Sequence, residues 1–379
     1  MEPVKLGIIG AGDAGTFHAL AFKGKQDARV RHVATCDLNE SAAKKLASKF
    51  NGQPFTDIEA FLKQDMDAVL VTVPHYLHAS VVKRVAEAGK HVICEKPMAP
   101  TLEECDAMIA ATRKAGVIFM IAENHRFLPV HNKMWELIAS GVIGDVYLGR
   151  TYEGAFVPMK TFLDANNWQF TFDRGGGGVL ADQGVHKFAL LNYLLGSEVV
   201  SGQAWLGKAI NSPANKGEDN AIMNLRFKNG AMIEVIVSST TVHPLNNNTE
   251  LHGTKGHMLE DHSWERPIRL FSSHPLAEKK GQYYDISIEH GAYPRYYLIS
   301  AFHEDTHFAT CIQEGKDPEF TPAQAREAVA VVLLGYLSAT KGAPATMEEL
   351  KGIAAAKGTR HIIESYASAI QQNYPTIKW

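Results

Sequence analysis

The sequence predicts an α/β protein: a doubly wound parallel sheet first, then an α+β domain with a large, mostly antiparallel, open sheet. Two observations carry this prediction. Through about residue 122, short apolar strands alternate with amphipathic helices, which is typical of βαβ units in a parallel sheet. Later segments alternate apolar and polar residues with period 2, which indicates strands covered on one face. We therefore divide the 379 residues into a domain of residues 1–122 and a domain of residues 123–379.

The strands of the first domain are short apolar runs bounded by turn residues, and amphipathic segments separate them. The predicted strands are Val4–Gly10, Val30–Asp37, Ala68–Val73, His91–Cys94 and Val117–Ala122. The predicted helices are Ser41–Phe50, His78–Ala88 and Leu102–Ala115. Because a helix separates successive strands, the strands are expected to run parallel.

The second domain has fewer helices and longer strands. Its predicted elements are a helix at Val130–Ser140, a strand at 146–156, a helix at Val185–Leu195, and two strands, Ala221–Phe227 and Ala231–Val237, joined by a tight turn at Asn229-Gly230. Helices on one side leave the other sheet face open, and an open face of that size usually finds a partner. We therefore expect a homodimer or homotetramer formed through the C-terminal sheet.

The composition excludes several classes of partner. The formal net charge is −3 at pH 7 without a long run of one sign, so we expect no nucleic-acid partner and no membrane surface. No apolar stretch approaches the roughly 20 residues that span a bilayer, and the first strand starts too near Met1 for a secretion signal. The 4 cysteines lack metal-ligand spacing and indicate reduced, buried thiols. These features predict a cytoplasmic protein.

The segment from Gly10 to Gly15 has the pattern G-x-G-x-x-G directly after the first strand. The first glycine permits a tight turn, the second lets the backbone approach a pyrophosphate, and the third allows the following helix to pack closely. Asp37 ends the second strand, at the distance where a carboxylate accepts both ribose hydroxyls. No arginine follows Asp37 to receive a ribose phosphate, which favours NAD over NADP.

Glu95-Lys96-Pro97 directly follows a buried strand of the same domain. Ligands of doubly wound sheets bind in the crevice at the carboxyl ends of the strands. We therefore expect Glu95 and Lys96 to lie where a substrate meets the cofactor.

With the glycine loop, Asp37, Val71-Thr72-Val73-Pro74 with His78, and Glu95-Lys96-Pro97 in this order, the chain resembles the Gfo/Idh/MocA oxidoreductases. In the second half, Trp168 and the run Gly176–His186 resemble the family's glycine-rich segment that ends in D-x-G-x-H. The resemblance implies a Rossmann domain that binds the nicotinamide cofactor and a C-terminal domain that covers it, with the substrate held between them.

Site residues follow by position. The resemblance implies that Lys96 lies near the nicotinamide, that Lys96-Pro97 holds a cis peptide bond, and that Asp182 and His186 are the D-x-x-x-H pair. The predicted catalytic residues are Lys96, Asp182 and His186. The predicted cofactor contacts are Gly10, Gly12, Asp13, Ala14, Gly15, Asp37, Thr72, Val73, Pro74, His78, Glu95, Lys96 and Trp168. The predicted substrate contacts are Lys96, Asn124, Tyr152, Asp182 and His186.

Two departures from the family pattern leave the substrate open. Many relatives have Trp-Arg where this chain has Trp168-Gln169, and many have H-x-x-D where it has His186 followed by Ala189. The second change removes a carboxylate that often binds sugar hydroxyls. A sugar, a glycoside and a cyclitol all remain possible substrates.

The expected reaction is oxidation of a secondary hydroxyl, in which a base takes the proton while hydride leaves for the nicotinamide. An unperturbed histidine is already suited to proton exchange near neutral pH, whereas a lysine needs its pKa lowered by burial or by the positively charged nicotinamide. Either His186 or Lys96 can be the base while the other holds the substrate oxygen, and the sequence does not separate these assignments.

Three other functions are weighed against this one. An NAD-dependent glycosidase would oxidise its substrate transiently and release no net NADH. A sugar or nucleotide sensor would need neither Lys96 nor His186. A zinc protease would use the segment His303–His307, which matches H-E-x-x-H, with Glu327 as third ligand. We favour an ordinary helix there and predict no metal.

Overall fold

The structure is a computed structural model that describes residues 2–23, 25, 29–154, 157–158, 161–162, 164, 167–210, 216–241, 247–288 and 295–373. The chain divides into two compact units. The first comprises Met1–Leu128 and Pro294–Arg326, and the second comprises Pro129–Tyr293 and Glu327–Trp379. The division after Leu128 lies near the predicted boundary after residue 122, but residues 294–326 join the first unit, which the sequence did not indicate. The functional assignment of each unit stays a prediction.

The bounds of the elements follow in chain order. The described strands are β1 (Val4–Ile9), β2 (Val30–Cys36), β3 (Gln53–Phe55), β4 (Ala68–Val71), β5 (His91–Glu95), β6 (Phe119–Ala122), β7 (Val146–Gly154), β8 (Val199–Gly207), β9 (Asn220–Phe227), β10 (Met232–Ser238), β11 (Asn247–Gly253), β12 (Gly256–Asp261), β13 (Ile268–Ser272), β14 (Tyr283–Ile286) and β15 (Ala345–Thr346). The described α-helices are α1 (Asp13–Ala21), α2 (Glu40–Lys49), α3 (Ile58–Leu62), α4 (His78–Glu87), α5 (Leu102–Ala115), α6 (Pro129–Ala139), α7 (Val185–Leu195), α8 (Arg295–Glu314), α9 (Pro322–Lys341), α10 (Met347–Lys357) and α11 (Arg360–Asn373).

In the described part of the first unit, six strands form a parallel sheet in the order β3-β2-β1-β4-β5-β6. The strand β4, Ala-Val-Leu-Val, is buried along its whole length, as expected for a strand covered on both faces. The strand order reverses between β1 and β4, and ligands of such sheets bind beside this reversal. The doubly wound parallel sheet is thus confirmed.

A late helix completes the core of this unit. Phe308 and Ala309 of α8 pack into the same buried cluster as Leu6 and Ile8 of β1. Apolar side chains far apart in the sequence therefore share one core with the nucleotide-loop strand, which explains why residues 294–326 join the first unit.

In the described part of the second unit, nine strands form one sheet in the order β14-β13-β12-β11-β7-β10-β9-β8-β15. Only the β10–β7 pair among them is parallel. The strand β9 alternates buried and exposed residues along its length, so one face is covered and the other is open. The predicted large, mostly antiparallel sheet is confirmed.

Lys187 is a buried charged residue of the covered face that has polar partners. Lys187 of α7, fully buried, lies with its Nζ 3.3 Å from Glu153 Oε2 of β7 and donates to the side-chain oxygen of Asn247. These contacts place α7 on the covered face.

All 4 cysteines are buried and free, which agrees with the thiols that the sequence predicts. Within the described ranges, the structure contains no helix with both the length and the apolar character needed to cross a bilayer.

Candidate functional site

The glycine loop turns sharply between β1 and α1. Gly10 has φ +104°, and a Cβ there would lie 2.5 Å from the carbonyl oxygen of Thr72. A Cβ on Gly15 would lie 2.2 Å from the carbonyl oxygen of Gly10. Thr72 Oγ1 donates to the Gly10 carbonyl at 2.7 Å, so the segment after β4 holds the loop. A side chain at either of these two positions would force the neighbouring backbone to shift.

Gly12 is surrounded by open space. A Cβ added there would meet no atom within 4 Å. Gly12 is the N-cap of α1, and no side chain caps this helix end. The first-turn N–H groups, at Asp13 and Ala14, carry the positive end of the helix dipole. A pyrophosphate fits this uncapped helix end, and Gly12 lets it approach the backbone closely.

Asp37 follows β2 and joins it to the glycine loop. Its Oδ2 accepts the N–H of Ala11 at 2.7 Å, and its Oδ1 accepts the N–H of Asn39 at 2.8 Å. These bonds fix the carboxylate beside the loop, and each oxygen keeps a lone pair for a ribose hydroxyl. The negative charge would repel a phosphate on that ribose, so the geometry suits NAD.

His78 binds two neighbouring turns together. Its ring is fully buried, with Nε2 2.9 Å from the carbonyl oxygen of Val73 and Nδ1 3.0 Å from that of Pro97. Burial lowers the pKa of His78 below its usual value. The ring thus connects the turn Val73-Pro74 to the Lys96-Pro97 segment, which is a structural role; the predicted cofactor contact of His78 stays a prediction.

The Lys96-Pro97 peptide bond at the end of β5 is cis, as the resemblance implied. Glu95 Oε2 accepts the N–H of Lys96 at 2.9 Å, while Glu95 Oε1 lies 3.2 Å from His18 Nε2. Both oxygens of Glu95 therefore hold the protein's own groups. This carboxylate orients Lys96 directly, whereas its predicted contact with the cofactor stays a prediction.

His18 is a site residue that sequence reasoning missed. It lies on the buried side of α1, and its Nδ1 is 2.9 Å from Asp305 Oδ2 of α8. The sequence offered one signal: a histidine three positions after Gly15, on a helix face that must be buried. A buried histidine needs a polar partner, so this position indicated a hidden contact. Its partner Asp305 lies far along the chain, where no local pattern reveals it.

The H-E-x-x-H segment lies within α8, as the favoured helix prediction requires. Glu304 and Asp305 are buried on the side of His18, and His307 Nε2 accepts the N–H of Glu319 at 3.0 Å. The segment therefore contributes acidic side chains to the core of the first unit.

Two buried groups, one in each unit, combine residue types that bind metals: His18 with Glu304 and Asp305, and His131 with Glu260 and His262. The imidazole–carboxylate distances are 2.9 Å for His18–Asp305 and 2.7 Å for His262–Glu260. Two ligands of a tetrahedral zinc ion lie roughly 3.3 Å apart, given bonds near 2.0–2.1 Å. Direct imidazole–carboxyl contacts account better for both groups, and the His18–Asp305 contact is a hydrogen bond.

In the second unit, Asp182 and His186 lie where a π-helical turn, Leu180–Gly184, runs into α7. Both side chains are half-buried, and Gln183 between them is as well, whereas Lys187 points into the core. The two predicted site residues therefore occupy the same partly open side of this helix. The position where many relatives carry a carboxylate, Ala189, is buried.

Glu218 holds the start of the π-helical turn. Its Oε1 accepts the N–H of Leu180 at 3.0 Å and the O–H of Tyr336 at 3.0 Å. Burial raises the pKa of Glu218 to about 7. A Cβ on Gly178 would lie 1.9 Å from the Glu218 carbonyl oxygen, which explains part of the glycine run.

The remaining predicted residues lie in different places. Asn124 opens a 3-10 helix and donates from Nδ2 to Ser300 Oγ at 3.1 Å. The Trp168 carbonyl accepts the hydroxyl of Thr171 at 2.7 Å. Tyr152 pairs across the sheet with Ile236, on the face opposite to the one that α7 covers. The structure thus does not bring Tyr152 to the side of Asp182 and His186.

Comparison with known proteins identifies the fold's relatives. The family model of the GFO_IDH_MocA oxidoreductases, described as an NAD-binding Rossmann fold, matches residues 4–123, and the model of the GFO/IDH/MocA C-terminal domain matches residues 131–259. The chain belongs to the Gfo/Idh/MocA family. It is accordingly an NAD-dependent oxidoreductase, which confirms the predicted family, enzyme class and cofactor.

Several Gfo/Idh/MocA proteins match most of the chain. It is 28% identical to the uncharacterized oxidoreductase YrbE of Bacillus subtilis over 93% of this chain and 99% of that protein. It is 28% identical to myo-inositol 2-dehydrogenase of Thermotoga maritima over 88% of this chain and 94% of the relative. It is also 28% identical to levoglucosan dehydrogenase of Pseudarthrobacter phenanthrenivorans over 74% and 79% of the two chains.

Solved structures agree on the fold. Levoglucosan dehydrogenase in complex with NADH and levoglucosan superposes with a TM-score of 0.81 at 24% identity, over 91% of this chain and 100% of that one. The aldose-aldose oxidoreductase from Caulobacter crescentus complexed with glycerol gives a TM-score of 0.77 at 25% identity, over 91% and 100% of the two chains.

Proposed function

We propose that this oxidoreductase oxidises a secondary hydroxyl of a sugar, glycoside or cyclitol, with NAD as the hydride acceptor. The observation that carries the proposal is Lys96 at the carboxyl end of β5, in the unit that holds the NAD loop, in a chain related to myo-inositol 2-dehydrogenase and levoglucosan dehydrogenase. The open side of Gly12, the uncapped start of α1 and the carboxylate of Asp37 support binding of the dinucleotide.

In the proposed reaction, bound NAD supplies the electron sink for the hydride. Lys96 and His186 form the acid–base pair that removes the hydroxyl proton and holds the substrate oxygen. Asp182, four residues before His186, orients the imidazole. Glu95 accepts the N–H of Lys96 and so holds its backbone, from which the side chain starts at a defined position.

A substrate panel tests the proposal. Inositols, levoglucosan, aldoses and their glycosides are incubated with NAD, and NADH formation is followed. The Lys96→Ala variant is expected to lower kcat by about 100-fold or more, because one member of the acid–base pair is lost. Its Kd for NAD, measured by calorimetry, is expected to stay within about threefold of wild type, since the loop and Asp37 are intact.

Lys83→Ala is the matched control, because this lysine is exposed on α4 of the same unit. It is expected to leave both kcat and the Kd for NAD unchanged. Wild-type turnover in Lys96→Ala would remove the assigned role. Cleavage of a glycoside without net NADH would replace the dehydrogenase by the glycosidase, and NAD binding without turnover on any compound would favour a sensor.

The relative pH dependence of Lys96→Ala and His186→Asn identifies the base. The base must be deprotonated to accept the proton, so kcat of the wild type is expected to fall at low pH. The variant in which kcat no longer falls at low pH has lost the base.

A further inference from the structure

His18 connects three elements of the first unit. It belongs to α1, the helix that begins at the glycine loop, and it is 1% exposed. Its Nδ1 lies 2.9 and 3.1 Å from the two carboxylate oxygens of Asp305 on α8. Its Nε2 lies 3.2 Å from Glu95 Oε1 at the end of β5. One ring therefore lies between two carboxylates from distant parts of the chain.

This arrangement favours the protonated form of the ring. A neutral imidazole has one N–H, so only one of its nitrogens can donate. Both nitrogens of His18 face carboxyl oxygens, and when both carboxyl groups are ionised, both contacts are hydrogen bonds only if the ring is an imidazolium. Burial disfavours that charge, but Asp305 and Glu95 more than offset it and raise the pKa of His18 well above its usual value.

Other acids face the same cluster and must be counted. Glu304 lies beside Asp305 on α8, and Glu123 follows β6. Burial raises the pKa of Glu304 well above its usual value. Burial raises the pKa of Asp305 as well, and the neighbouring His18 opposes that rise. The acids in direct contact with the His18 ring are Asp305 and Glu95.

The second oxygen of Glu95 extends the chain of contacts to the active-site lysine. Glu95 Oε2 accepts the N–H of Lys96 at 2.9 Å. With one oxygen on His18 and the other on Lys96, the Glu95 carboxylate can rotate only by breaking one of these bonds. The orientation of the Lys96 backbone thus depends on His18.

We propose that His18 is a positioning residue: anchored by Asp305, it holds Glu95 and, through Glu95, the backbone of Lys96 beside the nucleotide loop. The effect on catalysis rests on the proposed function of Lys96. The contacts themselves lie within the first unit and do not depend on that function. The pairing of His18 with Asp305 also gives the acidic part of the H-E-x-x-H segment a role, since Asp305 supplies the charge that keeps His18 in place.

Amide hydrogen exchange tests the geometry without requiring turnover. In His18→Gln the Glu95 carboxylate loses its charged partner, and the Lys96 amide is expected to exchange about tenfold faster or more. Asp305→Asn preserves the shape of the site and removes one charge, so a smaller increase at the same amide is expected. Unchanged exchange at Lys96 in both folded variants would overturn the proposal.

The pH dependence of kcat tests the catalytic consequence. Asp305→Asn weakens the imidazolium, so its proton is lost at lower pH, and the alkaline limb of the kcat profile is expected to move to lower pH. His18→Gln is expected to lower kcat by about 10- to 100-fold while the Kd for NAD changes by less than about threefold. A purely structural role would lower thermal stability and leave the pH profile of the folded enzyme unchanged, which would also overturn the proposal.

His91→Asn is the matched control. His91 lies at the opposite end of β5 and accepts the N–H of Ile118 at 2.9 Å through Nδ1. Its replacement is expected to lower stability without altering Lys96 exchange or the pH profile. If wild-type protein turns over none of the panel compounds, the proposed function fails, and hydrogen exchange alone decides the role of His18.

Discussion

Gly12 and Gly15 lie in one loop but have different neighbours. Gly15 touches backbone, so a methyl group there collides with the carbonyl oxygen of Gly10, whereas a methyl group on Gly12 meets only open space. The pattern G-x-G-x-x-G predicts both glycines. Only the structure shows that the fold needs Gly15, whereas Gly12 leaves space for a ligand.

Replacement of each glycine by alanine is expected to separate binding from folding. Gly12→Ala should keep the wild-type unfolding midpoint and weaken NAD binding by about tenfold or more, because the backbone can no longer approach the pyrophosphate closely. Gly15→Ala should also lower stability, by about 1–3 kcal/mol, through overpacking. Calorimetry with NAD and thermal unfolding measure the two effects. Wild-type NAD affinity in Gly12→Ala would contradict the placement of the pyrophosphate.

At the scale of elements, long segments with a regular spacing of apolar residues were predictable, because that spacing shows which side of the element is buried. The predicted helices Leu102–Ala115 and Val185–Leu195 have the observed bounds. The three-residue strand β3 and the five-residue helix α3 were missed, since they are too short to show a period. The predicted strand at 146–156 ends at Gly154 in the structure, and residues 155 and 156 lie outside the described residues.

Contacts between distant elements were not predictable in the same way. The π-helical turn before α7 was also missed, because it is defined by a buried acid, Glu218, which lies in a separate segment. The anchoring of His18 by Asp305 is a second case, as its two members belong to α1 and α8. Periodicity describes which side of an element is buried, but not which polar groups meet there.

The protonation of Glu218 is expected to make stability depend on pH. Because burial raises its pKa from 4.5 to about 7, the folded state binds the proton more tightly than the unfolded state. The stabilisation is fully present below about pH 4.5 and is lost as the pH rises through about 7. Relative to Glu218→Gln, the wild type should lose roughly 3 kcal/mol of unfolding free energy across this window.

Urea unfolding at about pH 5 and about pH 8 measures this difference. The glutamine variant can still accept from Leu180 and Tyr336, so the hydrogen bonds of the π-helical turn are preserved. Glu198→Gln, at an exposed position of the same unit, is the control and should follow the wild-type pH dependence. Parallel curves for wild type and Glu218→Gln would contradict the assignment.

At the scale of the whole molecule, the open face of the nine-stranded sheet carries a row of large apolar side chains. Trp205 pairs with Ile222, Ile222 with Ile236, and Ile236 with Tyr152, so these residues share one face. Trp205 is 54% exposed and Ile222 is 42% exposed, which is unusual for a face that remains in water. The predicted homo-oligomer would bury this row, and Tyr152 would then serve assembly rather than substrate binding.

A charge in this row is expected to prevent assembly. In Ile222→Glu, burial of an unpaired carboxylate costs more than the lost apolar contact, so light scattering after gel filtration should give the mass of one chain. Leu38→Glu, at an apolar residue that is 92% exposed on the first unit, should keep the wild-type mass. If Ile222→Glu retains the oligomer, another surface forms the contact.

The position of α8 in the chain has a consequence for how the protein is made and divided. A ribosome releases every strand of the parallel sheet before it synthesises Asp305, so His18 stays without its anchoring carboxylate during most of translation. A recombinant fragment that ends after residue 128 would remain in that immature state. To produce the first unit alone, residues 294–326 must therefore be joined to residues 1–128, because a simple truncation would omit them.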